Sequence, residues 1–180
     1  MTKSILDSQI QTIGNITYGF YGQKISGVAG YTYSVHLRRA TETYRDVYVV
    51  EPGTGSKVPL YSQTSPVEIV NTSNEILGFQ GLVFDNVVYL VYVEKVIEGE
   101  VTKHKLKVAP SFDYGVNFKK PCRPFGSDMY ATSIEDIPED SEHGVFPTYV
   151  DFEAVLQGED ILVYYRNEAE VIVIRNQGKW

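Results

Sequence analysis

Three stretches of this chain fail to alternate between apolar and polar residues, and that restricts its fold more than any other feature. Val87 to Val93 reads VVYLVYV, Ile161 to Tyr165 reads ILVYY and Val171 to Ile174 reads VIVI. Short runs of β-branched and aromatic residues favour strands over helices. A strand with one wet face alternates, so an unbroken run needs cover on both faces of its sheet. Each large apolar side chain left in water forgoes about 1.5–3 kcal/mol, and a row of them on a sheet invites aggregation. One face can pack on a second sheet. The other requires the N-terminal segment, a long loop or another molecule. With three such runs in one small chain, the expectation is a permanent partner.

The remaining pattern is also β-rich. YTYSVHLR sets Tyr31, Tyr33, Val35 and Leu37 against Thr32, Ser34, His36 and Arg38, the period of two that marks a half-buried strand. YRDVYVVE and PVEIV read as further strands, with PGTGSKVP a loop between them and NTSNEILG a turn or a single helical turn. NVVYLVYVEKV and VTKHKLKV flank a glycine-containing turn and predict a hairpin, a design repeated by DILVYYR and EVIVIR. Residues 1–13 predict a short amphipathic helix through Ile5, Leu6, Ile10 and Ile13, ended by Gly14. The glycines from Gly19 to Gly30 predict a loop or an irregular extended arm. TYVDFEAVLQG fits a helix capped by Thr148 and ended by Gly158, and equally a strand with Val150, Phe152, Ala154 and Leu156 on one face; the caps tilt the reading to helix.

The resulting fold class is mainly β: an antiparallel β-sandwich or partly open barrel, with one or two short helices and long loops. Residues 1–30 form an N-terminal arm. Residues 31–180 form a single β-rich domain with a long loop at about 110–147. A chain of 180 residues can bury about 70 % of the surface its unfolded form exposes, enough to fold without disulfides or metals.

Charge narrows the partners. A net charge of −7 argues against duplex nucleic acid, which demands a cationic footprint. The charge is also segregated. Residues 103–123 carry six bases against one acid, Asp113, whereas residues 127–170 carry twelve acids against one base, Arg166. Two such patches can meet across copies or neighbours in an assembly. Fourteen tyrosines suit surfaces that are partly apolar and partly wet. The opening residues lack the apolar stretch of a secretory leader. No apolar run approaches the ~20 residues that span a bilayer, so the expectation is assembly in the cytoplasm, away from membranes.

Candidate chemistry is thin. Cys122, the single cysteine, lies near Lys119, Lys120 and Arg123, which would favour a thiolate. No histidine stands in a motif that would supply its base; KKPCRPFGSDMY is better read as a proline-shaped docking loop. The acidic stretch SIEDIPEDSEHG lacks the order of an EF-hand loop and the spacing of a zinc site. Phosphate-loop, dinucleotide, metalloprotease and nucleophile-elbow motifs are missing from the sequence. No catalytic activity, cofactor, metal or small-molecule substrate is therefore expected.

The irregular arm, the unbroken strands, the segregated charge and the long loop point to a non-enzymatic structural or assembly protein. It would act through contacts with other copies of itself or with neighbouring structural proteins. In style the chain resembles the small β-rich structural proteins of tailed bacteriophages: head–tail connector, tail or capsid accessory components. That resemblance rests on no motif and covers no defined stretch. It implies a place in the virion, assembled in the host cytoplasm. The expected contact residues are Tyr18, Phe20 and Tyr21 in the arm, Lys119, Lys120, Arg123 and Phe125 in the basic loop, and Glu135, Asp136, Glu139 and Asp140 in the acidic one. The alternative is a β-sandwich that binds carbohydrate or a cell-surface ligand through an aromatic platform of Tyr18, Phe20, Tyr21, Tyr31 and Tyr33.

Overall fold

The computed structural model describes residues 2–41, 48–50, 54–59, 65–84, 86–120, 137–138, 152–157, 160–167 and 170–175. Its elements are β1 (Lys3–Ile13), β2 (Ile16–Gly27), β3 (Gly30–Thr41), β4 (Tyr48–Val50), β5 (Lys57–Pro59), β6 (Val67–Thr72), β7 (Glu75–Phe84), β8 (Val87–Glu98), β9 (Val101–Ser111), β10 (Ile137–Pro138), β11 (Phe152–Gln157), β12 (Asp160–Asn167) and β13 (Glu170–Arg175). The first sheet has the order β1-β2-β3-β6, the second β10-β9-β8-β7 and the third β11-β12-β13, while β4 and β5 form a separate ribbon. All pairings are antiparallel. The fold is mainly β, and its sheets do not close into a barrel. Among the hairpins that turn on two residues, β1–β2 and β8–β9 place Gly14 (φ 58) and Gly99 (φ 65) at the first turn position. A positive φ there matches the twist of the flanking strands.

The core shows how the VVYLVYV run is covered. Val88, Leu90 and Tyr92 of β8 point towards the first sheet and pack with Tyr18, Phe20, Val35 and Leu37. Tyr89, Val91 and Val93 point the other way and pack with Leu77, Leu82 and Val108 of their own sheet and with Ala154 and Ile161 of the third sheet. The second sheet is thus the middle of three layers. For this run the second cover comes from within the chain: β11 and β12 supply it. In the other two runs the described side chain is Ile161, which is buried in that second cluster.

The first two sheets interlock through aromatic rings seated on glycines. A Cβ on Gly81 of β7 would collide with the ring of Phe20 from β2. Reciprocally, a Cβ on Gly22 of β2 would lie 2.7 Å from Cε1 of Phe79 on β7. Beside this pair, β1 side chains supply the polar partners for the edge of β7. Gln9 Nε2 donates to Phe79 O (2.8 Å) and Gly81 N donates to Gln9 Oε1 (3.0 Å). Gln11 Nε2 donates to Gly81 O. The third sheet is tied on similarly, with Ala154 N donating to Gln80 Oε1 (2.8 Å).

Several expectations change, among them that for PGTGSKVP, whose Lys57–Pro59 is strand β5 paired with β4 and not loop. Residues 3–13 are strand β1, not a helix, and the glycine-rich segment is the regular strand β2, paired along its length with β1 and β3. The β1 periodicity misleads because a register shift falls between Ile5 and Asp7, so that Ile5 and Ile10, five apart, lie on the same face. EILGFQGLVF is a ten-residue strand, β7, although its first residues, Glu75 to Gly78, were expected in a turn or a single helical turn. Phe152–Gln157 is strand β11, not helix: its full pairing with β12 outweighs the helix caps. No helix occurs among the described residues. Of the loop expected at about 110–147, β9 runs on to Ser111, Ile137–Pro138 pair with His104 and Lys103, and 121–136 and 139–147 lie outside the described residues.

Gly81→Ala should destabilise the fold by about 2–3 kcal/mol, because Phe20 has no room to retreat within a packed core. Gly19→Ala, whose Cβ would meet only Arg38 O at 3.7 Å, should stay within about 1 kcal/mol of the parent. Urea unfolding of the two variants side by side checks this, and equal midpoints would contradict the interlock.

Candidate functional site

Two surfaces stand out: a polar cleft and an exposed apolar face. The cleft lies where the turn between β6 and β7 meets the ends of β3 and β8. It encloses about 340 Å³ and is lined by Tyr31, Tyr33, Ser73, Asn74, Glu75, Lys95 and Ile97. Register builds it. Tyr31 and Tyr33 are two apart on β3 and share a face, while Glu75 pairs directly with Lys95 across β7 and β8. At the rim, Lys24 Nζ stands 4.1 Å from the ring centroid of Tyr31 and 5.4 Å from that of Tyr33, a favourable cation–π arrangement. A hydrogen bond with Tyr33 raises the Lys24 pKa against a small desolvation, with Tyr31 and Glu75 adding to the rise.

Beside the cleft sits a buried charge. Glu94 is 2 % exposed on the inward face of β8. Its Oε1 accepts from Thr72 Oγ1 (2.8 Å) and Asn74 Nδ2 (3.2 Å), and its Oε2 pairs with Lys107 Nζ from β9. Burial pushes the carboxyl pKa up, but Lys107, Thr72 and Asn74 outweigh it and hold the group below its usual value. The cluster joins β6, β8 and β9, and it fixes Asn74 at the cleft wall.

The outer face of the first sheet carries another polar group. Ser34 Oγ and His36 Nε2 are 2.9 Å apart, the His36 ring stacks on Tyr21 at 5.1 Å, and Glu68 pairs with His36 across β3 and β6. Burial lowers the His36 pKa, Glu68 opposes that and Lys3 reinforces it. A hydroxyl beside a neutral imidazole is half of a nucleophile–base arrangement. Here Ser34 is 1 % exposed, leaving no approach for a substrate. The group fastens β3 to its neighbours.

On that same face β1 displays Ile5 and Ile10, 72 % and 77 % exposed. Both pair with outward positions of β2, Gln23 and Gly19, which flank Tyr21. Leu6 and Ile13 of β1 are exposed as well. β1 ends its sheet and, among the described residues, has a strand neighbour on one side only.

The expected contact residues divide in three ways. Tyr18 and Phe20 are core side chains, a correction to both the contact surface and the aromatic platform: their positions on β2 face the second sheet, where a partner does not reach. Tyr21 is half-buried on the outer face. Lys119 and Lys120 are exposed, with Lys119 Nζ 4.8 Å from the ring centroid of Phe112. Arg123, Phe125, Glu135, Asp136, Glu139 and Asp140 lie outside the described residues, as do Cys122 and His143. Sequence reasoning missed Lys24, Asn74, Glu75 and Lys95. The β2–β3 hairpin sets Lys24 opposite Tyr33 and the β7–β8 pairing sets Glu75 opposite Lys95, and no local pattern announces that the two meet.

Among the described residues, no group of three or more histidine, cysteine, aspartate or glutamate side chains could hold a metal ion. No described helix is long and apolar enough to cross a membrane. No protein-family model, characterised protein or solved structure matches the chain.

Because the folded-state pKa of Glu94 lies below the usual glutamate value of 4.5, its contribution is fully present above pH 4.5 and is lost as the pH falls through the folded value. Stability should therefore fall in that acid range, and Glu94→Gln should flatten the fall. At neutral pH the same substitution should cost about 1–3 kcal/mol, below the figure for a fully buried pair because Lys107 can turn to water. Urea titrations across pH 3–7 check both signs.

Proposed function

We propose that this chain is a non-enzymatic assembly protein that docks through the β1 side of its first sheet. The observation that carries the reading is the pair Ile5 and Ile10, both more than two-thirds exposed on one face of an edge strand. Burying each against a partner would gain about 1.5–3 kcal/mol. Tyr21, half-buried between their β2 neighbours, adds the amphipathic ring that interfaces favour. The partners are other copies of the chain or neighbouring structural proteins. The setting we propose, on the resemblance in style alone, is the virion of a tailed bacteriophage: a head–tail connector, tail or capsid accessory component put together in the host cytoplasm.

An Ile5→Asp, Ile10→Asp double variant tests the face. It should fold with a stability within about 0.5 kcal/mol per site of the parent, since both side chains are exposed. It should also lose the oligomer, or the complex with the product of an adjacent structural gene, that the parent forms in light scattering and native mass spectrometry. A parent that stays monomeric alone and with those gene products, or a double variant that assembles unchanged, would overturn the reading.

A further inference from the structure

We infer that the cleft between β3 and the β6–β7 turn is a binding site for a neutral sugar ring, separate from the docking face. Its volume of about 340 Å³ falls within the range of small-molecule clefts, roughly 300–1,000 Å³. Its chemistry selects the ligand class. Tyr31 is 54 % exposed, and Lys24 packed 4.1 Å from its centroid holds the ring in one orientation. The exposed part of such a ring is a platform for the apolar face of a pyranose.

The opposite wall offers hydrogen bonding of both kinds. Lys95 only donates, Glu75 only accepts, and Ser73 and Asn74 do both. Neighbouring sugar hydroxyls, each donor and acceptor, match such a mixture. A purely apolar ligand would displace water from Ser73 and Glu75 without replacing its hydrogen bonds, which costs affinity. An anion would meet the Glu75 carboxylate as well as the lysines. Asn74 is pre-positioned by its bond to buried Glu94, so part of the ordering cost is met before a ligand arrives.

The test is an amide chemical-shift titration with glucose, galactose, mannose and N-acetylglucosamine, together with a glycan array on the same protein. At least one sugar should shift amides confined to Tyr31–Tyr33, Ser73–Glu75 and Lys95–Ile97. Tyr31→Ala and Glu75→Gln should each weaken that binding by about tenfold or more, with the amide spectrum elsewhere unchanged. Ile10→Asp should leave it intact, so the outcome is independent of the docking face. A blank array with no shifts from any of the four sugars would overturn the inference. So would binding that both cleft substitutions leave unchanged.

Discussion

The reciprocal seating of Phe20 on Gly81 and Phe79 on Gly22 sets the relation of the first two sheets. Two rings and two bare backbones interdigitate at one place, so neither sheet can slide without driving a ring into main chain. Protein interiors are packed tightly enough that such a fit has no slack. The seam beside it follows from this close approach. Gln9 and Gln11 reach Phe79 and Gly81 because the rings hold β1 next to β7. Three backbone groups of β7 that face no strand, Phe79 O, Gly81 N and Gly81 O, are thereby satisfied by side chains, and part of a bare backbone edge is covered.

Legibility in the sequence tracks how local each determinant is. The β8–β9 and β12–β13 hairpins were readable because apolar runs and turn residues lie within a few positions of each other. β3 was readable from its strict alternation. β2 was not, because glycine has two uses that a sequence cannot separate. At Gly14 it serves a turn; at Gly22 it makes room for a ring that belongs to a strand some sixty residues on. β1 and β7 each carry a register shift, Ile5/Asp7 and Ile76/Gly78. A single extra residue moves the apolar set to the other face, and in β1 the result imitates helical spacing. The cleft is half legible: Tyr31 and Tyr33 stand out as aromatics, but Lys24 joins them through the β2–β3 hairpin and Glu75 and Lys95 through the β7–β8 pairing, which no local pattern announces.

The internal cover of β8 also changes where an argument for partners must rest. An unbroken apolar strand signals two-sided burial, and here the chain provides both sides, with Leu90 in one cluster and Val91 in the other. Among the described residues, four of the large apolar side chains left exposed, Ile5, Leu6, Ile10 and Ile13, lie together on β1. The case for a partner therefore moves from the most apolar segment to a moderately apolar one. Its isoleucines are interrupted by Asp7, Ser8 and Gln9, and their exposure becomes visible only once the neighbouring strand is known.

The same edge bears features that oppose indiscriminate strand addition. The bulge around Leu6 twists the strand locally, and the Asp7 carboxylate accepts from the Ser8 amide at 2.7 Å, occupying a donor that an added strand would otherwise use. Bulges and charges at sheet edges are standard obstacles to edge-to-edge aggregation. They leave the outer face, with Ile5 and Ile10, as the accessible apolar surface. Contact through that face would be made by side chains, whose identity can discriminate among partners, whereas backbone ladders accept almost any strand. An exposed apolar face beside a blunted edge therefore favours a contact selected by side chains over open-ended strand addition.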